Sequence, residues 1–149
     1  MVKWILGALA AIVLAGGAYG LWFWKHGTLT MYGLTGPALG QGNSTESPQD
    51  FDLAQQIPGF EGYRMRGRYI VVKPGGIIRI HDHHGRPAFS YMVNVPVDQH
   101  RSDRQDVIHH RQGDVSADVN MAHWWRNTSN QTAIWYVVDI YHATGNKGE

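Results

Sequence analysis

The sequence predicts an all-β domain, a sandwich or closed barrel, preceded by one membrane-spanning α-helix. The first observation behind this prediction is a stretch without charged side chains over residues 4–24. The second is a series of short runs rich in β-branched and aromatic residues after residue 51, and the third is the set of glycine- and proline-containing turns between them. About 125 residues follow the apolar stretch, which suffices for one domain with its own core.

Residues 4–24 have the length and the flanks of a membrane-spanning helix. At ~1.5 Å per residue they would cover about 31 Å, which matches the hydrocarbon core of a bilayer. Trp4 lies near one end and Trp24 at the other, where indole rings favour the interfaces, and Lys3 and Lys25 lie just outside. We therefore expect a single-pass anchor with a cytoplasmic N-terminus and the following domain on the periplasmic or other extracytoplasmic side.

A cleaved signal peptide is the alternative interpretation of this segment. Gly16-Gly17-Ala18 offers the small residues that a signal peptidase accepts, after a short apolar core. The apolar stretch continues beyond these residues, as a signal peptide normally does not, and this favours the anchor.

Small residues recur along the predicted helix at four-residue spacing, which lets a second helix approach closely in lipid. These helix-packing residues are Gly7, Ala11, Ala15, Gly16 and Gly20. They point to other transmembrane subunits as partners, in addition to membrane lipid. Small residues are also common in spanning helices that have no partner.

Residues 26–50 are rich in Gly, Ser, Thr, Asn and Pro and lack a sustained apolar period. Such a segment is typical of an extended, flexible linker that lets a domain stand clear of the headgroups. The predicted organisation is a transmembrane anchor, a linker and a β-domain, over residues 1–25, 26–50 and 51–149 respectively.

Several runs after residue 51 have the composition of strands and are separated by turn signals. They are Arg64–Val72, Gly76–Ile80, Ala88–Val95, Asp106–His110, Asp114–Val119 and Thr132–His142. Glycine or proline marks the turns at Lys73–Gly76, His84–Pro87 and Gln112–Asp114. A helix is expected only around Asp52–Gln56, and many short strands at this spacing favour a sandwich or barrel.

Composition excludes several classes of function. The formal net charge is +1 and the arginines form no run, which argues against nucleic acid as a partner. The chain has no cysteine, so disulfides and thiolate metal sites are excluded, and any metal must be held by imidazole and oxygen ligands. No nucleophile arrangement of the serine–histidine–aspartate type and no phosphate-binding loop is present.

Three histidines are the candidate metal ligands. His81 and His83 stand at positions i and i+2, so on a strand their side chains point to the same face. His123, brought alongside by the fold, would complete a site for one divalent transition metal. The expected ion is Fe, Ni, Cu, Zn or Mn. The general order in which protein sites bind divalent metals does not select one of these ions. The alternative is a metal-free barrel mouth in which the rings are hydrogen-bonded or hydrated.

Three motifs follow one another through the predicted domain. A DLAxQIPG-type segment, an HDHxGRP motif and an HWW-x-N motif occur at Asp52–Gly59, His81–Pro87 and His123–Asn127. In order and spacing they resemble the cupin superfamily, and most of all its small single-domain members. The resemblance covers residues 51–142 and implies a jelly-roll β-barrel, with a metal often bound by histidines near the barrel's mouth.

The chain departs from the cupin pattern at one expected ligand. The usual cupin carries a glutamate four or five residues after the second histidine, where this chain has Pro87 and Ala88. The second motif also lacks its usual proline and glycine, with Val119 and Met121 in that region. Three neutral imidazoles would leave coordination positions open to hydroxide, an added anion or a substrate carboxylate. Some cupins with a three-histidine site activate oxygen at iron, so the resemblance permits oxygenase-like chemistry.

Four further residues are candidates for the site. Gln99 or His100 is a candidate additional ligand in place of the glutamate, if a neighbouring strand carries one of them past the ion. Trp124 and Trp125 flank the third histidine, and strand alternation points one of them inward. We expect Trp125 to form a flat apolar wall of the pocket, with core packing as the alternative.

Two functional hypotheses from different classes result. The first is a membrane-anchored, metal-binding cupin-domain protein with metal-dependent, oxygenase-like chemistry on a small, partly apolar molecule. The second is a non-catalytic accessory or structural subunit of a membrane protein complex, which docks through its helix and barrel. Fold resemblance does not decide between them, so whether the chain is an enzyme stays open at the level of sequence.

Overall fold

The computed structural model describes residues 27–94 and 96–145. The predicted membrane helix lies outside these ranges, together with its packing residues Gly7, Ala11, Ala15, Gly16 and Gly20. Within the described ranges, no helix has both the length and the apolar character needed to cross a bilayer.

The described residues form ten strands and one short 3-10 helix, Leu53–Gln55. In chain order the strands are β1 Thr28–Met31, β2 Leu34–Pro37, β3 Gln41–Asp52, β4 Tyr63–Asp82, β5 Ala88–Met92, β6 Val97–Arg101, β7 Ile108–His110, β8 Val115–Asp118, β9 Ala122–Arg126 and β10 Ala133–His142. The predicted all-β class is confirmed, and the 3-10 helix lies within the one segment where the sequence predicted a helix.

Eight of the strands belong to one antiparallel sheet with the order β7-β6-β9-β4-β10-β5-β8, to which β3 is added beside β4. Strands β1 and β2 form a separate antiparallel pair. The 20-residue β4 pairs with β10 over its first half and with β9 over its second half. It therefore joins the two halves of a jelly roll, and its C-terminal end leads directly to the candidate metal ligands.

The segment predicted as a linker, residues 26–50, differs from that expectation, because it contains β1, β2 and most of β3. Nearly every side chain of β3 is exposed, so its sequence has no apolar period to reveal a strand. Backbone pairing with β4 holds it instead, supported by an ion pair of 2.7 Å between Arg64 Nη2 and Asp50 Oδ1.

Three strands also differ from the sequence-based expectation. The runs Arg64–Val72 and Gly76–Ile80 form the single strand β4, and the expected turn between them is a local irregularity at Gly75, with φ 71°. Strands β6 and β9 were not among the predicted runs. The β6 sequence, VDQHR, is largely polar and carries little strand signal, although Val97 and Gln99 are fully buried.

The interior changes from apolar to polar along the barrel. Alternate residues of β10 are buried, and the apolar core consists of Ile70, Val72, Ala88, Met92, Val97, Trp125, Ala133, Trp135 and Val137. Further along the same faces of β4 and β10, the buried positions hold Arg68, Arg66 and Asp139. This polar end of the interior lies beside the histidines and defines the candidate site.

Candidate metal centre

The structure brings the three predicted histidines together. His81 in β4 and His123 in β9 are direct cross-strand partners, and His83 follows β4 by one residue. The Nε2 atom of His123 lies 2.9 Å from His81 Nε2 and 3.1 Å from His83 Nε2. One nitrogen from each ring lies within 4.8 Å of the other two. Within the described part of the chain, no carboxylate belongs to this group.

These separations fit a metal ion. Metal–imidazole bonds of ~2.1 Å at right angles to each other place neighbouring nitrogens about 3.0 Å apart. The two measured Nε2 separations, 2.9 and 3.1 Å, agree with that value. Three nitrogen donors on one side of an ion leave its other coordination positions open.

Backbone carbonyl groups orient two of the rings. His81 Nδ1 lies 2.9 Å from the carbonyl oxygen of Arg79, and His83 Nδ1 lies 2.8 Å from that of Arg86. A carbonyl oxygen only accepts hydrogen bonds, so each Nδ1 carries the proton and each Nε2 keeps its lone pair. Both rings are therefore in the tautomer that a metal ligand needs.

The third ring is held by a buried polar network. His123 Nδ1 lies 2.7 Å from Gln99 Nε2 and 3.5 Å from Asp118 Oδ1. The Gln99 amide also donates to Asp118 Oδ1 at 2.8 Å, and its oxygen lies 2.8 Å from His110 Nε2 and accepts from Ser116 Oγ at 3.1 Å. Gln99 thus connects the ligand ring to three other polar groups, Asp118, His110 and Ser116.

Burial keeps two of the candidate ligands uncharged. Burial, followed by the interactions with His123 and Arg86, lowers the pKa of His83 to about 3. Burial also lowers the pKa of His81 well below its ordinary value. Burial alone would raise the pKa of Asp118, but interactions with His123 outweigh it and hold that carboxyl ionised. Neutral imidazoles do not have to lose a proton before they bind a metal.

The two candidate additional ligands lie on opposite sides of β6. Gln99 is fully buried and contacts the Nδ1 side of the His123 ring, so it supports the ligand from behind. His100 points to the other face and stacks on Trp124, with ring centroids 3.7 Å apart and planes 4° apart. The structure therefore does not bring His100 to the three Nε2 atoms.

A small cavity of about 50 Å³ adjoins the three histidines. The predicted pocket residue Trp125 lines it, and its indole Nε1 lies 3.3 Å from His123 Nε2. Trp125 is also part of the apolar core, so this side chain both lines the cavity and packs in the core. Ile78, Trp135 and Val137 complete the apolar side of the cavity.

A cluster of buried arginines beside this cavity was missed by sequence reasoning. Asp139 accepts hydrogen bonds from Arg66 at 3.1 and 2.9 Å, from Arg68 at 2.7 Å and from Arg86 at 2.7 Å. Burial would raise the pKa of Asp139, but these arginines outweigh it and lower that pKa below its ordinary value. The alternating arginines of the RMRGR run and the lone aspartate in an apolar strand were the available signals.

Arg86 links the arginine cluster to the histidines. Its Nη1 donates to Asp139, while its Nη2 lies 3.1 Å from His83 Nε2. Only 1% of Arg86 is exposed. A guanidinium group therefore stands directly beside the metal-binding face of one candidate ligand.

Comparisons with known proteins show the fold but not the activity. No protein-family model matches the chain, and no curated protein is significantly similar to it. Among solved structures, 266 chains match. An oxalate oxidase in complex with glycolate matches with a TM-score of 0.52 and 16% identity, over 73% of this chain and 55% of that chain.

Two further structures match with lower TM-scores. A Thermotoga maritima protein described as a "predicted oxalate decarboxylase" has a TM-score of 0.47 and 16% identity, over 64% of this chain and 93% of that one. A cupin family protein with a double-stranded β-helix fold from Methanocaldococcus jannaschii has a TM-score of 0.47 and 15% identity, over 53% and 72% of the two chains.

The strand topology and the match to oxalate oxidase define the class of fold. The described domain is a cupin-type jelly roll, as the sequence motifs led us to expect. At 16% identity this likeness extends to the fold alone. Function must be argued from the site itself.

Proposed function

We propose that this chain binds one divalent transition metal through the Nε2 atoms of His81, His83 and His123. The observation that carries the proposal is the convergence of these three atoms at separations of 2.9 and 3.1 Å. The lowered pKa values of His81 and His83 and the carbonyl partners of their Nδ1 atoms support it.

We further propose that the bound ion acts on a small molecule in the adjacent cavity. When bound, such an ion supplies a Lewis acid with coordination positions open to water or a ligand. Trp125 and Trp135 would exclude water on one side, and Arg86 would place a positive charge on the other. Oxygenase-like chemistry is the finer form of this proposal for a redox-active ion, Fe, Ni, Cu or Mn, whereas Zn would serve only as a Lewis acid. The three-histidine group, to which no carboxylate belongs within the described residues, supports it.

Membrane attachment is a separate part of the proposal. It rests on the uncharged stretch at residues 4–24, with its tryptophan and lysine flanks. We propose a single-pass anchor with a cytoplasmic N-terminus, in contact with lipid and with other transmembrane subunits. The described domain would then lie on the periplasmic or other extracytoplasmic side.

A second candidate function is a non-catalytic subunit of a membrane complex. It is favoured by large apolar side chains on the outer face of β5 and β8. Phe89 is 62% exposed and Val115 is 60% exposed, and Tyr91 lies opposite Val115 in the register of the two strands. Such neighbouring apolar groups are typical of protein interaction surfaces.

Metal analysis tests the main proposal. The full chain is purified in mild detergent from its native membrane, and its metal content and co-purifying chains are measured by mass spectrometry. We expect about one transition-metal ion per chain, because three imidazole nitrogens converge on one point. The His81→Ala/His123→Ala double variant should lose the ion. The His109→Ala variant is the matched control, because His109 is largely exposed and lies outside the site.

The same preparation separates the two candidate functions. A metal-free protein in fixed ratio with other membrane chains would overturn the metal-binding proposal and support the subunit function. An ion that survives the double variant would show that the three histidines are not its ligands.

A further inference from the structure

The arginine cluster carries more positive than negative charge. Arg66, Arg68 and Arg86 converge on the single carboxylate of Asp139, and each of the four residues is at most 8% exposed. Asp139 accepts four hydrogen bonds from them, which occupies about all the lone-pair positions of a carboxylate. One carboxylate therefore faces three guanidinium groups and has no capacity for a further donor.

Two of these arginines keep donors that Asp139 does not satisfy. Arg68 donates one hydrogen bond within the described ranges, although a guanidinium group has five N–H donors. Arg86 Nε is buried and has no hydrogen-bond partner among residues 27–94 and 96–145. A buried donor without a partner is costly, so Arg86 Nε in particular favours a ligand that accepts hydrogen bonds.

Both arginines line the cavity that adjoins the three histidines. Among the described residues, Asp118 is the carboxylate that lines this cavity, and it is already engaged by Gln99 Nε2 at 2.8 Å and by Arg101 Nη1 at 3.1 Å. The wall therefore presents unmatched positive charge from Arg68 and Arg86. A cation bound to the histidines would add to that charge.

The size and the lining of the cavity restrict the ligand further. Its volume is about 50 Å³, and one water needs about 10–15 Å³ of volume measured in this way, so a ligand of about four heavy atoms is the limit. The lining also contains the apolar side chains Ile78, Trp135 and Val137, of which Val137 is the cross-strand neighbour of Arg68. A small carboxylate with a short hydrocarbon part matches this mixed lining, whereas a sulfate or phosphate ion would place charged oxygens against apolar side chains.

We propose that this cavity binds a small monocarboxylate of acetate size, held by the guanidinium groups of Arg68 and Arg86 beside the three histidines. This inference deepens the proposed function, on which it rests, by naming the chemical class of the cavity's ligand. The proposed contacts of Arg68 and Arg86 with the carboxylate do not involve the metal ion. Carboxylate binding can therefore be measured both with and without bound metal.

Calorimetric titration with sodium acetate tests the inference. The full chain in detergent is titrated at constant ionic strength, metal-loaded and after chelation, with sodium chloride as the reference salt. We expect saturable acetate binding to the wild-type chain, at least tenfold weaker in Arg68→Gln. Arg64→Gln is the matched control, because Arg64 lies on the same strand but pairs with Asp50 on the outer side, and it should bind acetate like the wild type.

Further titrations define the outcomes. If Arg68→Gln fails to fold by circular dichroism, Arg68→Lys serves instead, since it keeps the charge and removes the planar fork of donors. Benzoate should not bind, because it exceeds the cavity. No acetate binding above the chloride reference, equal binding by the Arg68 variant, or equal binding of sulfate would each overturn the inference.

The two proposals fail in distinguishable ways. Stoichiometric metal without acetate binding would leave the metal site in place and overturn the carboxylate assignment. Acetate binding that depends on Arg68 in a chain without metal would support the carboxylate site while the metal-binding proposal fails.

Discussion

At the scale of single residues, His123 differs from the other two candidate ligands. The Nδ1 atoms of His81 and His83 face carbonyl oxygens, whereas Nδ1 of His123 faces the side-chain amide of Gln99 at 2.7 Å. An amide presents either a donor or an acceptor, depending on which way it is turned. The nitrogen of this amide donates to Asp118 and faces His123 Nδ1, so in this arrangement the proton of the His123 ring lies on Nε2. A metal bound at Nε2 needs that proton on Nδ1, which requires the Gln99 amide to turn its oxygen toward the ring or Asp118 Oδ1 to accept the hydrogen bond.

The Gln99→Ala variant should weaken metal binding. Loss of the amide removes the group that holds the His123 ring, and loss of such supporting contacts typically lowers metal affinity by about 10–100-fold. The measurement is competition with a chromophoric chelator. His100→Ala is the control, because His100 is the next residue on β6 and stacks on Trp124 away from the site. Equal loss in both variants, or none in Gln99→Ala, would contradict the assigned role.

At the scale of structural elements, the pairing of β4 with β10 assembles the arginine cluster. Asp139 and Arg66 are direct partners in the register of these strands. Arg68 is two residues further along the same face, and Arg86 joins from the connection between β4 and β5. Strands β4 and β10, which are far apart in sequence, thus form a buried cluster of charged side chains that neither strand contains alone.

The Asp139→Asn variant should destabilise the fold. Removing the charge leaves three arginines without a carboxylate, and breaking a buried ion pair in this way costs about 3–5 kcal/mol of unfolding free energy. Denaturant unfolding followed by tryptophan fluorescence measures the loss. Asp106→Asn, at a position with a side chain 84% exposed, is the control and should change the unfolding free energy by less than about 0.5 kcal/mol. An equally small change in Asp139→Asn would show that the cluster does not stabilise the fold.

The same carboxylate should give the stability of the protein a dependence on acidic pH. Because the folded-state pKa of Asp139 is lowered, its contribution is fully present above the ordinary carboxyl pKa of ~3.9. The contribution is lost as the pH falls through the lower folded-state pKa. The Asp139→Asn variant should lack this component of the acid dependence, and the Asp106→Asn control should retain it.

At the scale of the whole molecule, the orientation of the chain in the membrane is testable. The chain has no cysteine, so single cysteines introduced by Val2→Cys and Asp106→Cys are unique labels. With a membrane-impermeant maleimide, we expect Asp106→Cys to be labelled in right-side-out vesicles and Val2→Cys only in inside-out vesicles. Labelling of both from one side would contradict a spanning helix with the cytoplasmic N-terminus.

Part of this architecture was predictable from the sequence. The β-branched and aromatic runs predicted five of the ten described strands, β4, β5, β7, β8 and β10, since strand composition and turn residues are local signals. The almost entirely exposed β3 was not predicted, because it is held by backbone pairing and has no apolar face. Strand β6 was missed because it lacks the alternation of apolar and polar residues that marks a half-buried strand. Its inward position 99 holds a buried glutamine, Gln99, where that alternation would have an apolar residue.

The sequence alone determined the all-β class and the candidate ligands His81, His83 and His123, because strand composition, i and i+2 spacing and motif order are read along the chain. The tertiary structure alone decided that Gln99 faces inward while His100 faces outward, and that Asp139 lies among three arginines. These outcomes depend on the register between distant strands, and a shift of one residue would turn every side chain of a strand to the opposite face.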